Sequence, residues 1–230
     1  MPLPKLETPT YELEIPSTKE VLKYRPFLVK EEKILLIAQE SEEESEILAA
    51  TKSIIEACTF DKIKCDDLTV YDVEYIFLKI RAKSVGENID FKGKCQHCEK
   101  MLDFKVDINE VEIFFPEEVT DKIEITKDVG MTLKPINVKD LDDIDDTDII
   151  SSISAVVDTI YDENEVYKAE NFTKKELEEF VGNLKHDDLE KISNFIDNQP
   201  RLKHTVKQKC NCSPKKTTTY TLEGLESFFI

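Results

Sequence analysis

Two short stretches, "KCQHCEK" and "KCNCSPK", hold four of the six cysteines of this 230-residue chain. They place Cys95 beside Cys98 and Cys210 beside Cys212. Each stretch lies between segments that alternate apolar and polar residues: "NIDFKGK" and "MLDFKVDI" around the first, "RLKHTVKQK" and "TTTYTLEGL" around the second. Alternation of period two with a polar turn between the runs predicts a β-hairpin in each case, with its cysteines at the tip. Two hairpin tips offering two thiolates each form the geometry of a zinc ribbon, where four sulfurs hold one Zn2+ tetrahedrally and leave no coordination position for a substrate. The expected ligands are Cys95, Cys98, Cys210 and Cys212, and flanking lysines would help keep the thiols ionised.

The second pair is C-x-C, tighter than the usual C-x2-C, and residues 99–209 lie between the pairs. That intervening chain must be an insertion if the tips are to meet. Reduced thiols without metal, and a redox or three-ligand site, are the alternatives. His97 and His204 lie close enough in sequence to replace a cysteine. Cys58 and Cys65 stand apart and read as small core residues.

The net charge of −18, from 49 acidic against 31 basic residues, disfavours nucleic acid and anionic membranes as partners. It favours protein partners, some of them basic, and keeps a chain soluble before assembly. No apolar run reaches the length of a membrane span, and "MPLPKLETPTYELEIPS" lacks the pattern of a signal peptide, so synthesis in the cytosol is expected. Reduced cysteines follow from that compartment.

Residues 8–29 alternate through Tyr11, Leu13 and Ile15, turn at "PSTKE", and resume at Val21, which predicts an opening hairpin ended by Pro26. The stretch "KEEKILLIAQESEEESEILAATKSIIEAC" carries helical spacing and an acidic joint at Glu40–Glu46, so it predicts two helices. Another begins near Asp66 or Asp67 and presents Val70, Val73, Ile76, Phe77 and Ile80 on one face. Strands "VEIFF" and "DKIEITKDVGMTLKPI" follow the first cysteine pair, with a turn at Asp128–Gly130. Residues from Asn137 to Tyr167 then read as acidic first and helical after, Thr173 with Glu176 forms a capping box, and Pro200 stops a last helix.

The expectation is an α+β chain. Residues 1–86 form a hairpin with helices, residues 87–137 and 200–230 form the zinc-ribbon-like unit, and residues 138–199 form a helical insertion. No Walker loop, dinucleotide fingerprint or nucleophile elbow is present. The aspartates of "DLDDIDDTD" lack the glycine turn of a calcium loop. An enzyme is therefore not expected.

The block "YELEIPSTKEVLKYRPFLVKEEKILL", with "IIEACTFDKI" and "DVEYIFLKIRAKSVGE" after it, resembles the baseplate hub protein family of contractile-tailed, T-even-like bacteriophages. The resemblance spans residues 1–110 and extends more loosely to the closing "LEGLESFF". It implies a hub-associated virion protein that works through contacts with other baseplate hub and tail proteins, the tape-measure protein among the candidates. A chaperone that binds hub or tape-measure proteins and is absent from the finished virion is the alternative. The family supplies no catalytic residues. It tends to carry cysteine-bearing hairpins at these places, from which the C-x-C pair departs. A zinc-ribbon transcription or host-takeover factor is a third class, disfavoured by the charge. Within "YRPFLV", Arg25, Pro26 and Phe27 either pack the hairpin on the first helix or face a hub partner. Likewise Phe228, Phe229 and Ile230 either tuck into the core or dock into a neighbouring subunit.

Overall fold

The computed structural model describes residues 6–41, 43–117, 119–144, 147–210 and 216–228. Cys212 and Phe229 lie outside them. The chain is mixed helix and sheet, and it divides into two units: Met1–Phe114 with Arg201–Ile230, and Phe115–Pro200. In chain order the first unit holds β1 (Tyr11–Glu14), β2 (Val21–Tyr24), α1 (Val29–Ser41), α2 (Glu44–Cys58), α3 (Val70–Ser84), β3 (Asn88–Lys94), β4 (Met101–Asp107) and β5 (Glu112–Phe114). The second unit holds β6 (Lys122–Glu124), β7 (Gly130–Leu133), α4 (Ile149–Val156), β8 (Val157–Tyr161), β9 (Val166–Lys168), α5 (Lys174–Val181) and α6 (His186–Asp197). The chain then returns to the first unit with β10 (Arg201–Lys209) and β11 (Thr217–Glu223).

The opening hairpin forms as its alternation requires. β1 pairs antiparallel with β2, Leu13 opposite Leu22, and those residues turn inward while Glu12 and Lys23 face out. After β2 the chain enters a buried ion pair. Arg25 Nη2 and Nη1 donate to Glu31 Oε1 and Oε2 at 2.8 and 3.0 Å. The guanidinium also donates to the carbonyls of Pro26 and Ala57, at 2.9 and 3.2 Å. Glu31 Oε2 accepts the Leu28 N–H at 2.6 Å. One planar fork thus joins the hairpin exit, the first turn of α1 and the end of α2.

The helix α3 is capped by Thr69, whose hydroxyl accepts the Asp72 N–H, and not by Asp66 or Asp67 as the sequence suggests. Those two aspartates lie in a short 3-10 turn ahead of it. Thr69 prevails because Asp72 stands three positions on. The Asp72 carboxylate accepts the Thr69 hydroxyl at 2.6 Å and the Ser17 N–H of the opening hairpin at 3.0 Å. Leu78 and Ala82 of α3 pack into a core with Phe104, Val106, Leu202 and Leu222.

β10 is bonded on both edges. β11 lies along one side in register from Lys203↔Glu223 to Lys209↔Thr217. β5 lies along the other, with Arg201 opposite Phe114. The chain therefore leaves the first unit and re-enters it at two paired residues. An insertion can begin and end there without disturbing the ladder.

The insertion is not purely helical. β6 to β9 form a four-stranded antiparallel meander, covered by α4, α5 and α6 around a core that includes Met131, Leu133, Ile153 and Ile192. Two expectations are corrected. The strands at 122–133 belong with the insertion, not with the cysteine hairpins, and the boundary falls at Phe114 and not after residue 137. Residues 157–168, expected helical, form β8 and β9. The β-branched Val157, Thr159 and Ile160 favour strand, and the Asp162 carboxylate accepts the N–H groups of Asn164 and Glu165 at 2.8 and 2.9 Å to fold the turn between them. The capping box of Thr173 and Glu176 is present at the start of α5. Among the described residues no helix is long and apolar enough to cross a membrane.

The Arg25–Glu31 pair sets a test. Burial by itself raises the Glu31 carboxyl, but the hydrogen bonds from Arg25 and Leu28 outweigh it and hold the group below the usual range. A depressed carboxyl contributes stability above its unfolded value, about 4.3, and that stability is lost as pH falls further. Arg25→Met should lower unfolding free energy by about 3–5 kcal/mol at neutral pH, read by urea denaturation, because a carboxylate is left buried alone. Glu31→Gln should flatten the fall in stability below about pH 4. A neutral result for Arg25→Met would show that the pair does not fasten the hairpin.

Candidate metal centre

The first cysteine tip is a tight knuckle between β3 and β4. Cys95 N–H donates to the Lys100 carbonyl at 2.8 Å, and Glu99 N–H donates to the Cys95 carbonyl at 3.0 Å. Glu99 sits in the left-handed region, φ 59°. The second tip starts where β10 ends, with Cys210 N–H donating to the Lys216 carbonyl at 3.4 Å.

The tips meet because the strands behind them pack together. Phe91 stacks on Phe104 across β3 and β4, with centroids 5.1 Å apart, and Tyr220 of β11 meets Phe104 edge-on at 4.9 Å. Tyr220 lies over Gly93, where a Cβ would come within 2.8 Å of its ring. Only a glycine lets the aromatic ring approach the β3 backbone so closely. The Tyr220 hydroxyl donates to the Lys94 carbonyl at 2.8 Å, and Gln96 Nε2 donates to the Thr219 carbonyl at 2.9 Å.

This packing brings together cysteines 112 positions apart: Cys98 Sγ lies 3.5 Å from Cys210 Sγ. The sulfurs of Cys95, Cys98 and Cys210 all lie within 4.8 Å of one another. Zn–S bonds of about 2.3 Å in a tetrahedron place sulfurs roughly 3.8 Å apart, so three thiolates at this spacing can share one metal ion. Cys95 and Cys210 are 1% and 2% exposed, while Cys98 is half-buried.

The Cys95 thiol is brought down to about 6, first by the Thr218 hydroxyl that donates to it at 3.4 Å, then by the His97 N–H, also at 3.4 Å. Hydrogen bonds therefore favour the thiolate here, where lysine charge was expected to do so. The sequence reading missed Thr218, Tyr220 and Gly93. Their signal was the alternation of "TTTYTLE", which turns Thr218 inward, and a glycine inside a strand pattern. His97 acts through its backbone with its ring exposed, and His204 sits within the ladder opposite Leu222. Neither ring belongs to the cluster of sulfurs. By contrast, burial pushes Cys58 up to about 11 and Cys65 up to about 12, which makes them unreactive core thiols.

The described expected contact residues, Arg25, Phe27 and Phe228, face inward. Phe27 is buried and its N–H donates to Ser84 Oγ at 2.9 Å, while Arg25 is held by Glu31. Phe228 is 0% exposed and joins the core with Leu78 and Leu222. The Glu74 carboxylate accepts the Leu225 N–H at 3.0 Å and steadies the turn that carries Phe228. Of the two readings open for Arg25, Phe27 and Phe228, the structure carries the inward one, packing within their own unit. In the aspartate run, Asp140 pairs with Lys134 at 2.9 Å, Asp143 pairs with Lys174, and Asp148 caps α4. Those carboxylates have structural partners.

Thr218→Val removes the first cause of the low Cys95 value at almost constant volume. In metal-free protein, the thiolate absorbance should then titrate at higher pH than in the wild type. An unchanged titration would mean that Thr218 does not hold the thiolate.

Comparison with known proteins bears on the whole chain. The family described as T4 bacteriophage base plate protein matches residues 8–230. The "Baseplate hub assembly protein gp26" of Enterobacteria phage T4 is 26% identical over 223 residues, 95% of this chain and 97% of that protein. No solved structure matches. A match that begins at residue 8 and runs through both cysteine hairpins to the final residue shows the family: the chain belongs to the T4 bacteriophage base plate proteins.

Proposed function

We propose that this protein is a structural component of the baseplate hub of a phage tail, made to be built into the virion and to act through protein–protein contacts. The observation that carries this reading is likeness over almost the full length of both chains to a protein named for hub assembly. The partners are other baseplate hub and tail proteins, with the tape-measure protein a candidate. The −18 charge speaks for protein partners and against nucleic acid. The role is non-enzymatic, in keeping with carboxylates committed to caps and ion pairs.

The cysteine cluster serves this role as a staple. The reading is a zinc-ribbon-like unit in which Cys95 and Cys98 from one hairpin, with Cys210 and Cys212 from the other, hold one structural Zn2+. Three of those sulfurs support it by their spacing. A closed four-thiolate site supplies cohesion and no open position for chemistry. It suits a unit whose two hairpins are joined through a long insertion, because metal binding free energy becomes folding free energy.

Metal analysis of protein purified without chelator should find one zinc per chain. Chelation, or Cys95→Ser, should remove it and lower stability by at least about 3 kcal/mol, a fall of roughly 6–12 °C in Tm for a chain of this size. Cys212→Ser should do the same. Melting that ignores chelator would remove the zinc reading and leave the hub reading standing.

Quantitative mass spectrometry of mature virions beside tail intermediates tests the hub reading itself. A few copies per mature particle are expected. Presence in intermediates with absence from virions would overturn a structural role in favour of an assembly chaperone.

A further inference from the structure

Helix α1 buries one face and leaves large apolar side chains among charges on the other. Leu35 and Ala38 point inward with Glu31. On the opposite side Leu36 and Ile37 are 53% and 56% exposed, and Val29 is more exposed still. At 100° per residue, Val29, Lys33, Leu36 and Glu40 fall in one line along the helix, with Ile37 beside it. Large apolar side chains grouped on one helix face mark a contact surface more often than scattered single ones do.

The charges on that line have an order: Lys33 stands before Leu36 and Glu40 after it, while Lys30, which meets Glu31 at 3.8 Å, and Glu32 flank the start to either side. No basic residue lies in the last turn of α1. Carboxylates at a helix C-terminus oppose its dipole, and a cation supplied from outside would relieve both.

We propose that α1 pairs with α1 of a second copy of this chain, antiparallel and related by a two-fold axis between Leu36 and Ile37. In that register Lys33 of each copy lies against Glu40 of the other. Leu36 and Ile37 of both copies close a small apolar centre. A self-complementary surface of this kind is what an isologous interface needs. The parallel arrangement would set lysine on lysine and glutamate on glutamate. The like net charge of two copies is screened beyond about 10 Å at 0.1 M salt, so the facing pairs decide the orientation. A helix of 13 residues is about 20 Å long, so the contact is small and the dimer reversible.

Sedimentation equilibrium of the full chain over a wide concentration range tests this. A monomer–dimer equilibrium is expected. Leu36→Glu and Ile37→Glu should each weaken it at least about tenfold, because each places a charge in the apolar centre. Lys33→Glu should weaken it as well, and adding Glu40→Lys to the same chain should restore it, since the double reversal inverts both ends of the line. These side chains are exposed, so unchanged melting curves serve as the folding control. A monomer at every concentration would overturn the proposal and leave the stripe to a different protein. A dimer indifferent to Leu36→Glu, or charge reversal without rescue, would overturn it too. The dimer rests on α1 alone and does not depend on the hub reading or on zinc.

Discussion

Hydrogen bonding along both edges of β10 is the constraint on which the first unit depends. One edge holds β11, and with it Tyr220, the ring that reaches across to Gly93 and Phe104. The other edge holds β5, and so fixes where the insertion departs and returns. Its inward residues, Leu202 and Val206, share a core with α3 and Phe228. Its last residue is followed by Cys210. A strand paired on both sides cannot slip in register without turning its core residues to water. The position of the second cysteine tip is therefore set by the ladder, before any metal is considered. The metal would add stability to an arrangement that packing already specifies.

This order of causes accounts for the insertion. Residues Phe115–Pro200 form a unit with its own sheet and its own apolar core. Closing a longer loop adds little entropy cost once the ends are held, since that cost grows only with the logarithm of length. Phe114 and Arg201 are held as a ladder pair. The hairpins can therefore meet across a separation that would be unusual for a local zinc finger.

Local features were legible in the sequence and convergent ones were not. The four strands around the cysteine pairs, the opening hairpin, the two helices split at the acidic joint, and the Thr173–Glu176 box follow from periodicity and turn chemistry over a few residues. β8 and β9 were missed because Ile149–Val156 really is helical, and the same apolar run continues into strand with no breaker between Val156 and Val157. The β-branched residues that favour strand at Val157–Ile160 also fill the helix at Ile149, Ile150, Ile153 and Val156, so they could not mark where it changes; the pairing of Thr159 with Lys168, and of Ile160 with Met131, decides it. Cys95, Cys98 and Cys210 could be nominated from spacing, but the hydroxyl that acts on Cys95 comes from Thr218, 123 positions away. For Arg25 and Phe228 the sequence left an inward and a partner-facing reading side by side, because a cation and an aromatic near chain turns suit either until Glu31 and the α3 core are seen to receive them.

The distribution of polar groups separates what this protein can do by chemistry from what it can do by contact. Among the described residues, Glu31 is spent on Arg25, Asp72 on a helix start and the opening hairpin, and the half-buried Glu74 on the turn carrying Phe228. The Cys95 thiol, lowered to about 6, is nearly inaccessible beside two other sulfurs, a place suited to a metal ligand and poorly suited to a nucleophile that must meet substrate. The surface is different. There the chain carries excess negative charge, which discourages indiscriminate association, and an exposed line on α1 where apolar side chains lie between opposite charges. Like charge over the surface with an ordered line of this kind favours specific contacts over aggregation. That balance suits a base plate protein, which works among many neighbouring chains.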